Sequence, residues 1–141
     1  MKKLLNTSMI YFIAAILAGV FFREFTKFNH YTAATALGRL HTHLFVLGMF
    51  LFLILALFCQ KEDRLWKNRS FSRFFVLYNI ALPFMTVTML VRGIVQVLEI
   101  SLSNAADAMI SGFAGISHIL LTIAFFLLFS ALKAVFVTKE D

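Results

Sequence analysis

From Leu40 to Gln60 the chain carries no Asp, Glu, Lys or Arg. A helix of that length, at about 1.5 Å per residue, spans ~30 Å, the thickness of a bilayer's hydrocarbon core. Such a run admits few folds, because in lipid each backbone N–H and C=O must be paired within the structure, and a helix pairs its own. Similar apolar runs lie on either side. The sequence therefore predicts an all-α integral membrane four-helix bundle, a single domain over residues 1–141, with spans at about 4–26, 34–60, 74–99 and 105–136. Composition agrees: 61% of the residues are hydrophobic and 14% charged, too little polar surface to cover a water-facing globule.

The net charge of +6 falls in short clusters between apolar runs, the pattern that sets membrane topology and not one that binds nucleic acid. Nine of the thirteen basic side chains (Lys2, Lys3, Lys61, Arg64, Lys67, Arg69, Arg73, Lys133 and Lys139) lie at the two ends or in the loop between the second and third spans. The positive-inside rule then places both termini and that loop in the cytoplasm, with the chain crossing the cell membrane four times. Met-Lys-Lys-Leu-Leu-Asn resembles the start of a signal peptide, but no small-x-small site leads into a soluble domain, so an uncleaved first span is expected. Cys59 is alone, which excludes an internal disulfide, and it adjoins the basic loop on the reducing side. The outer connection, with Arg23, Lys27 and Arg39, is more basic than the rule expects. These side chains either form an interfacial collar, with His30 and Tyr31 beside them, or answer an anionic group near the outer surface.

Polar groups inside the apolar runs carry the functional question. His41 and His43 open the second span, and His118 lies within the fourth. Counted from Lys61, His41 and His43 stand ~30 and ~27 Å above the inner boundary; counted from Lys133, His118 stands ~22 Å above it. All three occupy the outer third, on spans that run in the same direction. One imidazole from each of two helices at similar height is what a bis-histidine heme requires. In the third span Pro83 predicts a kink that frees the Asn79 carbonyl. Arg92, Gln96 and Glu99 follow at helical spacing as a polar stripe, with Arg92 either paired to Glu99 or facing the bundle. Asn104 with Asp107 three residues later predicts the N-cap of the fourth helix. Gly112 and Gly115 would admit another helix or a flat ligand.

A faint internal repeat relates the two halves. Gly19 precedes His43 by 24 residues and Gly93 precedes His118 by 25, and each histidine leads an apolar run with an Ala-Leu pair, Ala56-Leu57 and Ala131-Leu132. Two helical hairpins about an axis along the membrane normal would make His43 and His118 equivalent.

Arg39-Leu-His-Thr-His-Leu-Phe-Val-Leu-Gly48 resembles the second helix of the large subunit of heme-copper oxidases and nitric oxide reductases, whose His-Thr-Asn string presents its first histidine to a low-spin heme. The resemblance covers about ten residues. It implies that His41 is the ligand, with His43 where that family often has asparagine. The chain is far shorter than those subunits and shows no tyrosine-linked copper-ligand pattern, so oxygen reduction is not implied. As a whole it is also similar to an uncharacterised family of short four-span bacterial membrane proteins with the same His-Thr-His string.

Because His41 and His43 point ~200° apart on a helix, only one readily addresses a given iron. The motif favours His41; depth and the repeat favour His43. The expected cofactor is heme b, held by His41 with His118 and with His43 as the alternative ligand, its propionates met by Arg92 and Arg39. Other readings stay open: a copper or zinc site using those histidines with Met49 or Met109, imidazoles that only hydrogen-bond neighbouring helices through Thr42, Ser117 or Thr122, or a small proton-coupled transporter. A heme protein would either pass electrons, with quinol or another membrane redox partner, or sense, store or carry heme. No hydrolytic or transferase site is seen, lipid is the surrounding partner, and a homo-oligomer is left open.

Overall fold

The computed structural model describes residues 1–137, so Lys139, counted above for topology, lies outside them. The described residues are helical with no strand: α1 (Lys2–Phe28), α2 (Leu37–His43), a π-helical segment (Leu44–Phe50), α3 (Leu51–Lys61), α4 (Arg64–Lys67), α5 (Arg69–Val97) and α6 (Asn104–Phe136). Helix α2, the π segment and α3 are collinear parts of one span. Four helical stretches, Lys2–Phe28, Leu37–Lys61, Arg69–Val97 and Asn104–Phe136, are long and apolar enough to cross a membrane. Only 22 to 33% of the most apolar window in each is buried within the chain, so most of this surface needs an apolar solvent.

The helix ends show why the spans stop where they do. Helix α1 closes with His30 at φ 54°, the Tyr31 N–H donating to Thr26 O at 2.9 Å and the His30 N–H to Lys27 O at 3.2 Å. Helix α5 closes in the same way: Glu99 at φ 51°, the Ile100 N–H to Val95 O at 3.1 Å, the Glu99 N–H to Gln96 O at 3.2 Å. This left-handed cap satisfies the last carbonyls of a helix. Its appearance at the end of the first helix of each hairpin is a structural counterpart of the sequence repeat. Helix α5 begins five residues before the expected 74. Asn68 caps it, its Oδ1 accepting from the Ser70 N–H at 2.8 Å and the Phe71 N–H at 3.2 Å, so Arg69 and Arg73 belong to the helix. The cap of α6 is Ser103, not Asn104; its Oγ accepts from the Ala106 N–H at 3.2 Å, and Asp107 falls in the first turn. Pro83 lies inside α5, which continues through it.

The helices pack in chain order. Helix α1 runs along the whole second span, α2 packs against α5, and α5 packs extensively against α6. Ring contacts link all four spans through the core: Tyr11 stacks on Phe52 at 5.7 Å, Phe52 meets Tyr78 edge-on at 5.7 Å, and Tyr78 meets Phe125 edge-on at 5.4 Å. Each such pair adds ~0.5–1.5 kcal/mol beyond its buried area. Two close backbone approaches depend on glycine: a Cβ at Gly48 would lie 2.5 Å from Tyr11, and one at Gly93 would lie 2.5 Å from Leu37. At the inner end Arg64 forms a bidentate pair with Glu62, at 2.8 and 2.9 Å, and reaches Val135 O at 3.3 Å, tying the loop to the end of α6. The Glu62 carboxylate raises the pKa of Arg64 further above its ordinary value.

Candidate functional site

Helical phase decides where the histidines face. His118 and Phe125, seven residues apart on α6, differ by only ~20° in direction, and His43 lies within ~40° of Leu47 on the second span. Tyr78 of α5 joins the two faces: its hydroxyl donates to Leu47 O at 2.9 Å and its ring packs on Phe125. Deeper in, Phe58 of α3 meets Phe136 of α6 at 5.7 Å. His118 therefore lies on the side of α6 that carries Phe125 and Phe136, the rings that reach Tyr78 of α5 and Phe58 of α3.

The deeper of these contacts gives the vertical register. Phe58 meets Phe136, and the 18 residues from there back to His118 match about 19 on the second span, whose π segment holds one extra residue, so His118 is about level with Arg39. That puts it ~3 Å above His41 and ~6 Å above His43, about one turn from the latter. Counting from Lys133 had placed His118 below them. The difference arises because Lys133 is not level with Lys61; α6 extends farther inward than its first basic residue implies.

The ring nitrogens separate the three histidines. His43 Nδ1 lies 2.8 Å from Arg39 O and His118 Nδ1 lies 2.7 Å from Ala114 O, the same bond to the carbonyl one turn back. A carbonyl only accepts, so in the neutral ring Nδ1 carries the proton and Nε2 keeps its lone pair. This is how metal-ligating histidines are commonly oriented. His41 differs. Its Cβ packs toward Gly19 of α1, its Nδ1 is buried without a hydrogen-bond partner, and its Nε2 is 3.5 Å from Thr42 Oγ1. His41 and His43 are half-buried, and His118 is exposed on α6.

Of the three hydroxyls that were candidate partners for the imidazoles, those of Ser117 and Thr122 serve backbone carbonyls. Ser117 Oγ donates to Ala114 O at 2.7 Å and Thr122 Oγ1 to His118 O at 2.9 Å. Among the described residues neither His43 nor His118 bonds across to a neighbouring helix. Nor do three or more His, Cys, Asp or Glu side chains gather as a metal cage there.

The expected polar stripe on α5 is divided among three tasks. Arg92 pairs with Asp107 and donates to Ser111 Oγ at 2.7 Å, binding α5 to α6. The expected pairing with Glu99 is replaced because α5 ends at Val97, and the left-handed turn carries Glu99 off the helical face. Gln96 Oε1 accepts from the Ala36 N–H at 2.8 Å and from Thr35 Oγ1 at 3.1 Å, so α5 caps the start of α2. Arg39 is exposed, and among the described residues its guanidinium has no partner; it stands one turn above His43. Gly112 and Gly115 have nothing within 4 Å of a built Cβ, so among the described residues no helix uses the approach they offer.

One feature of the site has no sequence signature of its own. Leu44–Phe50, immediately after His43, is π-helical, yet it reads as an ordinary apolar helix. An indirect signal was present: Ser8 and Tyr11, polar and one turn apart in an apolar span, are buried, and Ser8 Oγ donates to Met49 O at 2.9 Å.

Residues 1–135 match the family model described as Protein of unknown function (DUF2871). No curated protein and no solved structure matches the chain.

Proposed function

The chain belongs to the DUF2871 family, and on that premise we propose that it is a heme b-binding membrane protein whose iron is ligated by His43 and His118. The observation that carries the proposal is the matched pair of imidazoles. Both have Nδ1 held by their own helix, both leave Nε2 free, and they stand about one turn apart in height on two spans that pack against α5. Two imidazoles at lipid depth without an interhelical partner are accounted for by a guest. The oxidase-like motif favours His41, whereas the bonding pattern favours His43.

Arg39 is the first candidate for a propionate, since it is unpaired and lies above His43. Arg92 is second, because Asp107 already neutralises it. With the termini in the cytoplasm by the positive-inside rule, the histidine pair lies in the outer leaflet of the bacterial cytoplasmic membrane, and the excess of positive charge there meets the propionates. Heme b in such a bundle passes single electrons, its potential set by ligand identity and burial, and quinol is the lipid-soluble donor proposed. A second reading, reversible loading of heme for storage, sensing or transport, draws support from the exposure of His118.

The substitution series tests the ligands. His43→Ala and His118→Ala should each abolish the six-coordinate low-spin spectrum, and His41→Ala should keep it. Loss of that spectrum in His41→Ala with retention in His43→Ala would return the assignment to the motif. Free exchange of heme to apo-globin without reduction by quinol would favour storage over electron transfer.

A further inference from the structure

The direction in which His43 faces depends on the seven residues that follow it. In an α-helix the Leu51 N–H would donate to Leu47 O; here it donates to Val46 O, five residues back, and to Gly48 O. Leu47 O is thereby released, and it accepts the Tyr78 hydroxyl at 2.9 Å. Met49 O accepts the Ser8 hydroxyl at 2.9 Å, and Tyr11 fills the space against Gly48 where any Cβ would collide. One hydroxyl from α1 and one from α5 thus each donate to a backbone carbonyl of the wider turn. A buried carbonyl without a donor is costly, so removing either hydroxyl favours the α form.

A π segment holds one residue more than the α turns it replaces, and one residue is ~100° of helical phase. Reversion to α would turn one end of the span by that amount relative to the other. Helix α3 is fixed by Phe52, Leu55, Ala56 and Cys59, all buried, and by the rings of Tyr11 and Tyr78 on Phe52. The histidine end is held by the Gln96 cap and by Leu37 on Gly93. That end carries fewer buried side chains and would turn.

We infer that Tyr78 and Ser8 are positioning residues: by holding Leu44–Phe50 in the π form they set the phase at which His43 faces His118. The inference rests on the proposed ligand pair and adds residues that are not themselves among the proposed ligands. It also gives the intramembrane hydroxyl of Tyr78 a task distinct from its ring, which fills the core.

The test needs no heme. In a Cys59→Ala background, His43→Cys with His118→Cys is cross-linked by a short flexible bis-maleimide, and His41→Cys with His118→Cys serves as the control. Tyr78→Phe keeps the ring contacts with Phe52 and Phe125 and removes only the hydroxyl. Cross-linking of the 43–118 pair should fall about tenfold in Tyr78→Phe, and that of the 41–118 pair should rise. Deleting Val46, exposed and inside the segment, removes the extra residue and should restore the 43–118 cross-link in the Tyr78→Phe chain. Ser8→Ala should act in the same direction as Tyr78→Phe. An unchanged 43–118 rate in Tyr78→Phe, or a loss that the deletion fails to restore, overturns the inference. If the cross-linking pattern holds but the unsubstituted protein takes up no heme, the cofactor reading fails and the positioning role stands.

Discussion

His30 and Glu99 occupy the left-handed region, at φ 54° and 51°, where a side chain costs ~1 kcal/mol or more relative to glycine. Glu99→Gly should therefore raise the thermal midpoint in detergent, by the equivalent of about 0.5–1 kcal/mol, and His30→Gly should do the same. An unchanged midpoint for both would mean that the caps are not formed in solution. Glycine has the opposite role at Gly48, where a methyl group would lie 2.5 Å from Tyr11: Gly48→Ala should destabilise by about 1–3 kcal/mol, while Gly112→Ala should stay within about 0.5. A cost at Gly112 equal to that at Gly48 would reveal a neighbour, such as a second copy, packed on that face. At this scale the sequence was only partly legible. It placed Arg92, Gln96 and Glu99 on one face, which is correct for an uninterrupted helix. It could not show that the helix ends at Val97, because no Gly or Pro marks the stop and the cap is built on Glu99 itself. The tautomers of His43 and His118 were likewise invisible, since they depend on where the Arg39 and Ala114 carbonyls point.

Between elements, the hairpin of α5 and α6 is joined at its outer end by Arg92 with Asp107 and Ser111, and at its inner end by the reach of Arg64 to Val135 O. Arg92→Ala and Asp107→Ala should show a coupling of ~1 kcal/mol in a double-mutant cycle, leaving the ligand spectrum intact. Additive effects would show that the pair does not hold the hairpin. The spans themselves could be read from charge-free length, and the ends of α1 and α6 fell within a few residues of expectation. Helix α5 began earlier than expected because Asn68 caps it inside what looked like a basic loop, and arginines in a first helical turn resemble loop charge. The π segment had no pattern to give it away: apolar residues at every position look alike at either pitch, and only the paired hydroxyls of Ser8 and Tyr78 distinguish them.

For the molecule as a whole, two hairpins carry equivalent caps and equivalently bonded histidines, and their second helices both pack against α5. The topology assigned by charge predicts that Ser101→Cys, in a Cys59→Ala background, reacts with a membrane-impermeant maleimide in intact cells. Reaction only after permeabilisation would invert the protein and place the histidine pair on the cytoplasmic side. The repeat made His43 and His118 equivalent positions, and the like bonding of their Nδ1 atoms favours that pair in the proposal, whereas the motif pointed to His41, whose ring here packs toward Gly19. Sequence spacing gives direction along one helix; it does not say which neighbour stands on each side, and that is where the choice lay. The most direct test of the central claim is the absorbance spectrum of the purified, heme-supplemented protein before and after dithionite. Bis-histidine ligation predicts a single low-spin heme per chain, with a Soret band that sharpens and resolved α and β bands on reduction. A spectrum no different from free hemin in the same detergent would contradict it.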